Sequence, residues 1–188
     1  MDISKIIDKM EKQLSPKRLL HSVGVAETAV NLARRYGARV EGAQLAGLLH
    51  DYARDLSRET LLELAEKAGL IGCPVDRLAP DLLHGPVAAW LVPQKLGIDD
   101  PEILQAIAVH TLGSENMSQL DKIIYLADLI EPGRDYSGVD YLRSLAEIDL
   151  DQGVLSGFNQ TLRYCIKHNF LLHPQTIWAR NYLLEKQQ

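Results

Sequence analysis

Features that define several large classes of proteins are scarce in this sequence. It has two cysteines, Cys73 and Cys165, far apart and without CxxC spacing, so neither a disulfide framework nor a thiolate zinc site is indicated. Lys and Arg number 20 against 25 Asp and Glu, which disfavours a surface that neutralises nucleic-acid phosphates. No apolar run approaches the roughly 18 residues needed to span a bilayer. We therefore expect a cytoplasmic protein with no nucleic-acid or membrane partner.

Strand signals are missing as well. Apolar residues recur at helical spacing almost throughout, and no sustained period-two alternation rich in Val, Ile and Thr is present. The sequence therefore predicts an all-α fold. Of its 188 residues, 46% are hydrophobic, and no repeat or linker divides them, so we expect a single compact domain over residues 1–188.

Caps and stops divide the chain into predicted helices. Helices are expected at 16–36, 41–52, 57–68, 82–96, 102–110 and 118–131, with two or three more at 139–186. The segment 71–81 carries two prolines and predicts an irregular loop, and 131–138 predicts another. Four aromatic residues within apolar runs, Trp90, Tyr125, Tyr164 and Trp178, predict core packing.

Histidines stand in helical segments that are otherwise apolar. They are His21, His50, His84 and His110. Burying an unpaired polar group costs a few kcal/mol, so each must find a hydrogen bond, reach water or bind a metal. Any one of them alone is more simply a core or surface histidine.

As a set with two carboxylates, these residues indicate a metal site. Asp51 follows His50 directly, and Asp128 lies inside the apolar run IIYLADLI, where an uncompensated charge would be costly. Imidazoles and carboxylates together suit iron, manganese, cobalt or zinc. Such an ion polarises a phosphoryl oxygen and lowers the pKa of a bound water. The ordered series H, HD, H, H, D therefore predicts a metal-dependent hydrolase.

This series resembles the motif of the HD superfamily of metal-dependent phosphohydrolases, over residues 15–135. The phrases LLHDYARDL, LLHGPVAAWL, AVHTLG, LDKIIYLADLIEPGRDY and HPQTIWARNYLL are similar, more narrowly, to the bacterial YqeK-type symmetrical bis(5'-nucleosyl)-tetraphosphatases. The resemblance implies an HD-type helical bundle with a metal centre between its helices. It also implies one or two iron ions, with manganese or cobalt as alternatives, and attack of a metal-activated water on phosphorus that cleaves diadenosine tetraphosphate into two ADP.

Residue by residue, the resemblance assigns roles to the motif. The implied ligands of a first ion are His21, His50, Asp51 and Asp128. His84 and His110 match a pair that holds a second ion, with Asp51 as the bridge, or that contacts substrate phosphate. Asp51, His84 and His110 are then the implied catalytic residues.

Two arginines and a threonine are further predicted substrate contacts. Arg18 lies one helical turn before His21, and Arg134 follows the helix that carries Asp128, so either guanidinium could bind a phosphate. A solvated surface charge explains each equally well. Thr111 could donate to a phosphate, although a cap at a helix end is nearly as good an explanation.

The C-terminal region is expected to contribute to substrate binding. His173 and Thr176 flank the start of a helix whose free amides could bind a phosphate, and a plain helix start at Pro174 is the alternative. We expect residues 139–186 to complete a nucleotide pocket beside the metal-binding core at 15–135, with nucleoside diphosphate product bound there.

Other functions use the same ligand set. A nucleotidase, a cyclic-nucleotide phosphodiesterase and an alarmone hydrolase are alternatives within enzymes. A non-catalytic nucleotide sensor is the alternative from another class, although such a protein would be expected to lose a ligand. A homodimer is compatible with the sequence.

Overall fold

The computed structural model describes residues 3–186, and over that range it is helical, with no strand. The helices are α1 (Ile3–Glu11), α2 (Pro16–Tyr36), α3 (Val40–Leu49), α4 (Arg58–Lys67), α5 (Pro74–Leu78), α6 (His84–Leu96), α7 (Pro101–Val109), α8 (Gln119–Ile130), α9 (Val139–Ala146), α10 (Leu150–Lys167) and α11 (Pro174–Glu185). A 3-10 turn, Pro80–Leu83, precedes α6. The all-α prediction is confirmed.

Helix boundaries follow the capping signals of the sequence. The Ser118 hydroxyl accepts from the Asp121 amide and the Asp121 carboxylate accepts from the Ser118 amide, which is the capping box expected for α8. Gly37, with φ of 72°, ends α2 in the left-handed conformation that glycine adopts without strain. The segment 131–138 is a loop, as predicted.

The predicted loop at 71–81 is wrong, because α5 and the 3-10 turn lie there. Pro74 fixes φ at the first position of α5. One carboxylate oxygen of Asp76 accepts from the amides of Gly72 and Cys73. The capping geometry therefore offsets the helix-breaking signal of the prolines.

Four helices form the centre of the bundle. α2 packs along α3 and α8, and α7 packs against both α3 and α8. Their facing side chains are fully buried, including Leu49, Ile107 and Ile124, and each such residue stabilises the fold by about 1.5–3 kcal/mol. Gly47 of α3 lies against the backbone of α2, since a Cβ added there would be 2.8 Å from the Cα of Ala26.

The prediction for the aromatic residues is only partly correct. Tyr125 is buried, with its ring 4.5 Å from that of Phe158. Tyr164 and Trp178 are instead 55% and 56% exposed. Helical spacing predicts which residues share a face, but it does not predict whether another element covers that face.

No helix among residues 3–186 combines the length and the apolar character needed to cross a membrane.

Candidate metal centre

Three of the four predicted histidines stand at helix ends and share one hydrogen-bond pattern. His50 follows the last residue of α3, His110 follows the last residue of α7, and His84 follows the 3-10 turn. In each, Nδ1 lies close to the carbonyl oxygen three residues earlier, at 2.7 Å, 2.8 Å and 2.5 Å respectively. The carbonyls of Gly47 and Ile107 lie in the last turns of α3 and α7, where intrahelical partners run out, and that of Asp81 lies in the 3-10 turn. A carbonyl only accepts, so Nδ1 carries the proton and Nε2 presents a lone pair.

His21 lies within α2, and its Nδ1 is 3.1 Å from Oε1 of Glu131. Sequence reasoning did not single out Glu131, which is buried at the end of α8. A glutamate three residues after Asp128, directly after the apolar run of α8, is the signal that could have found it.

Two carboxylates meet the lone pairs of His21 and His50. Oδ1 of Asp128 is 3.0 Å from Nε2 of His21 and 3.8 Å from Nε2 of His50. Oδ2 of Asp51 is 3.7 Å and 3.4 Å from the same two nitrogens. Nε2 of His50 is completely buried and has no hydrogen-bond partner among the described residues. Buried polar atoms are rarely left unpaired, so this nitrogen, facing two carboxylates, fits a metal ligand.

The other oxygen of Asp51 faces the second pair of histidines. Oδ1 is 3.2 Å from Nε2 of His84 and 3.8 Å from Nε2 of His110. These two nitrogens are 3.0 Å apart, and each presents a lone pair, so neither can donate a hydrogen bond to the other. The Thr111 hydroxyl lies 3.2 Å and 3.0 Å from them, but its single proton can satisfy only one. The arrangement therefore favours a cation or a protonated phosphate oxygen between the rings.

The electrostatics keep both carboxylates ionised. Burial alone would raise the pKa of Asp51, but His50 and His84 hold it far below its ordinary value. The pKa of Asp128 is likewise lowered against burial, by His21, His50 and Arg134. Two adjacent negative charges attract a cation.

The histidines respond to the same charges. Burial, together with the neighbouring His50 and His84, lowers the pKa of His110 to about 3, so its imidazole is neutral. Burial would also lower the pKa of His50, but Asp51 and Asp128 raise it. Neutral imidazole is the form that binds a metal, so a proton on His50 competes with an ion at this position.

Both predicted arginines reach the centre. Nη1 of Arg18 donates to Oδ2 of Asp51 at 2.6 Å. Arg134 donates through Nη2 to Oδ1 of Asp128 and through Nε to the Asp128 carbonyl at 2.7 Å. Each guanidinium is partly exposed, so each can also contact a molecule that enters from solvent.

One edge of the centre is open. Asp128, Arg18 and Arg134 are the more exposed members, whereas His50 and His110 are closed off. A cavity of about 820 Å³ adjoins that edge and is lined by residues of 17–27 and 131–136. The contribution of residues 139–186 to a nucleotide pocket stays a prediction.

The remaining two predicted site residues lie in a different group. Nδ1 of His173 accepts from the Gln175 amide at 3.2 Å, and the Thr176 amide donates to the His173 carbonyl at 3.2 Å. Both amides are therefore already paired, which favours the plain helix start at Pro174 over a phosphate site. His173 lies instead beside Cys73 and Asp76, and Cys73 was not expected to belong to any site.

This second group, which we call the 73–76–173 cluster, contains Cys73, Asp76 and His173. Nε2 of His173 is 3.0 Å from Oδ1 of Asp76 and 3.4 Å from Sγ of Cys73. Because Nδ1 already accepts a hydrogen bond, Nε2 carries the proton and donates it to Asp76. The three ligand atoms lie within 4.8 Å of one another.

The HD domain family profile matches residues 18–133, the stretch that contains all six converging histidines and carboxylates. The chain belongs to the HD domain family. HD domain proteins bind divalent metals, and the described residues supply three overlapping groups that could hold one: His21, His50 and Asp51; His50, His110 and Asp128; Asp51, His84 and His110.

Within this family, the chain is similar over its length to curated proteins named symmetrical bis(5'-nucleosyl)-tetraphosphatase. The protein from Bacillus subtilis is 38% identical over 93% of this chain and 94% of its own. The protein from Halalkalibacterium halodurans is 37% identical over 100% of both. A solved structure from Clostridium acetobutylicum, described as a predicted HD superfamily hydrolase involved in NAD metabolism, is 43% identical, with a TM-score of 0.95 over 99% of this chain and 98% of its own.

Proposed function

We propose that this protein hydrolyses diadenosine tetraphosphate symmetrically into two ADP at a divalent-metal centre. The metal chemistry is supported by one observation above all: the two oxygens of Asp51 face two different pairs of imidazole lone pairs. The choice of substrate is supported by similarity, over nearly the whole chain, to relatives that carry that activity in their names.

The proposed ligands of the first ion are His21, His50, Asp51 and Asp128. Asp51 also bridges towards His84 and His110, which hold a second ion or bind a substrate phosphate. We propose iron as the metal, with manganese or cobalt as alternatives, as the family resemblance implies; the mixed imidazole and carboxylate donors are compatible with these ions and also with zinc. When bound, such an ion polarises a phosphoryl oxygen and lowers the pKa of water.

The chain's own groups can carry the rest of the reaction. Arg18 and Arg134 line the open cavity and can pair with phosphate oxygens of the substrate. Asp51, His84 and His110 are the proposed catalytic residues, because their ligand atoms converge at the inner end of the centre. The Thr111 hydroxyl, between His84 and His110, can donate to a phosphate oxygen. A direct substrate role for His173 and Thr176 stays a prediction, as do a homodimer and a cytoplasmic location.

The test is product analysis on iron-reconstituted protein. Hydrolysis of diadenosine tetraphosphate in water labelled with heavy oxygen should yield ADP as the sole nucleotide product, with label in one of every two molecules. AMP together with ATP would contradict the symmetrical cleavage and leave the hydrolase assignment standing. Binding without turnover of any nucleotide would contradict the enzyme assignment and favour the sensor.

The same assay should include other nucleotides. Mononucleotides, cyclic nucleotides and alarmones represent the alternative hydrolases. NAD belongs beside them because the structural relative from Clostridium acetobutylicum is described as involved in NAD metabolism. Diadenosine tetraphosphate should give the highest kcat/KM of the set.

A further inference from the structure

His21 differs from the other three histidines of the centre in where its Nδ1 proton goes. His50, His84 and His110 use the main-chain carbonyl three residues earlier. His21 lies inside α2 (Pro16–Tyr36), where the preceding carbonyls accept from helix amides. An acceptor for its Nδ1 must therefore come from another element, and Glu131 of the α8 terminus is that acceptor.

The Glu131 carboxylate is held in a fixed orientation. Its Oε2 accepts from the Gly133 amide at 2.6 Å, while Oε1 faces Nδ1 of His21 at 3.1 Å. The side chain is buried. Gly24 leaves room for it on α2, since a Cβ at that position would lie 2.8 Å from Oε2.

Glu131 is on the wrong side of the ring to bind the ion itself. Its carboxylate meets Nδ1, whereas the ligand atoms converge on Nε2, and none of the potential metal-binding groups in residues 3–186 includes it. We propose that Glu131 is a positioning residue of the metal centre. It holds His21 in the tautomer with a free Nε2 and makes that imidazole a more basic ligand than its three carbonyl-bonded neighbours. This inference rests on the proposed metal centre.

Glu131→Gln tests the inference with almost no change in shape. The Gly133 amide needs an acceptor, so the glutamine oxygen takes that place and its NH2 group faces Nδ1 of His21. His21 should then carry its proton on Nε2. We expect Mn²⁺ affinity, measured by calorimetry on metal-free protein, to fall about 10- to 100-fold. The matched control is Glu27→Gln, an exposed residue of the same cavity with the same charge change, which should leave the affinity unchanged.

A second readout requires neither metal nor turnover. Long-range ¹H–¹⁵N correlation spectra of metal-free protein should show a proton on Nδ1 of His21 in the wild type, whether or not Nε2 also carries one toward Asp128, and a proton on Nε2 alone in Glu131→Gln. If the variant loses the Nδ1 proton but the wild type has no affinity for divalent metals, the proposed function is rejected, while the interaction between Glu131 and His21 stands. A stabilising role alone would lower the melting temperature without changing tautomer or affinity, and that result would overturn the inference.

Gly24→Ala provides an independent variant in case Glu131→Gln does not fold. It keeps the carboxylate but places a Cβ 2.8 Å from its present Oε2 position, and alanine favours the helix more than glycine does. Mn²⁺ affinity should fall while the protein stays folded. Wild-type affinity together with a wild-type His21 tautomer in Gly24→Ala would overturn the inference as well.

Discussion

The metal centre and the 73–76–173 cluster share one arrangement, an imidazole beside a carboxylate at the same distance. In each, the distance from Nε2 to the nearest oxygen is 3.0 Å, for His21 with Asp128 and for His173 with Asp76. They differ on the far side of the ring. Nδ1 of His21 faces a carboxylate, whereas Nδ1 of His173 faces the amide of Gln175. The first histidine therefore offers a lone pair to the group and the second offers a proton, so distance alone does not identify a ligand set.

The largest expected difference between the two regions is in metal retention. Asp128→Ala should remove the bound ion and lower turnover by at least about 100-fold, with the helical circular dichroism spectrum retained. The matched variant Asp76→Ala should keep the metal content of the wild type. Elemental analysis of both purified proteins makes the comparison. Full metal occupancy and near-normal turnover in Asp128→Ala would remove that residue from the centre.

The next largest effect should separate metal binding from activity within the metal centre. If His84 and His110 serve the substrate more than the first ion, His110→Ala should retain about one ion per chain and lose most of its activity, about 100-fold. Metal analysis and initial rates on the same preparation measure both quantities. Loss of all metal would make His110 an essential ligand of the first ion.

Substitutions in the 73–76–173 cluster should lower the free energy of unfolding. His173→Ala leaves the buried Asp76 carboxylate without its imidazole donor, which should cost about 1–3 kcal/mol in the free energy of unfolding. Urea denaturation measures this loss. Cys73→Ser, which keeps a small polar side chain, is the control and should cost less. An additional zinc ion bound by the wild type and absent from both variants would show that the cluster is a metal site after all.

The smallest expected effect is a pH dependence of stability at Asp76. Burial on its own raises the pKa of this carboxyl, but the Cys73 amide, His173 and the Gly72 amide outweigh it, so the pKa is lowered. The unfolded value is about 3.9. The stabilisation is therefore complete above that pH and is lost as pH falls through the lower folded pKa. The gap in urea midpoint between wild type and Asp76→Asn should narrow from pH 6 to pH 3, and a constant gap would contradict this account.

The sequence allowed prediction of the fold class and of the side chains that converge at the centre. An ionisable residue in an apolar helical run, such as Asp128 in IIYLADLI, needs compensation, and that requirement is visible in the sequence. The Nδ1 partners were not predictable in the same way. Glu131 is 110 positions away from His21, and only the packing of α2 against α8 brings them together.

The partners of His173 were hidden from sequence for a related reason. The helix start at Pro174 was predicted. The acceptor of the Gln175 amide was not, because it is the side chain of His173 itself. The partners of His173 on the other side, Cys73 and Asp76, lie about one hundred positions earlier. Local sequence identifies a helix end, whereas the groups that meet it are set by tertiary structure.

The contact at Gly47 has a consequence for the choice of ion. There α3 meets α2 backbone to backbone, with a Cβ at Gly47 falling 2.8 Å from the Cα of Ala26. His21 lies in α2 and His50 directly follows α3, and their ring centroids are 5.2 Å apart. A contact made by main chains has no rotamers through which to relax. With the two backbones fixed there and each Nδ1 held by a hydrogen bond, the spacing of the rings is restricted, and the centre should discriminate between cations by ionic radius more sharply than a site whose walls are flexible side chains.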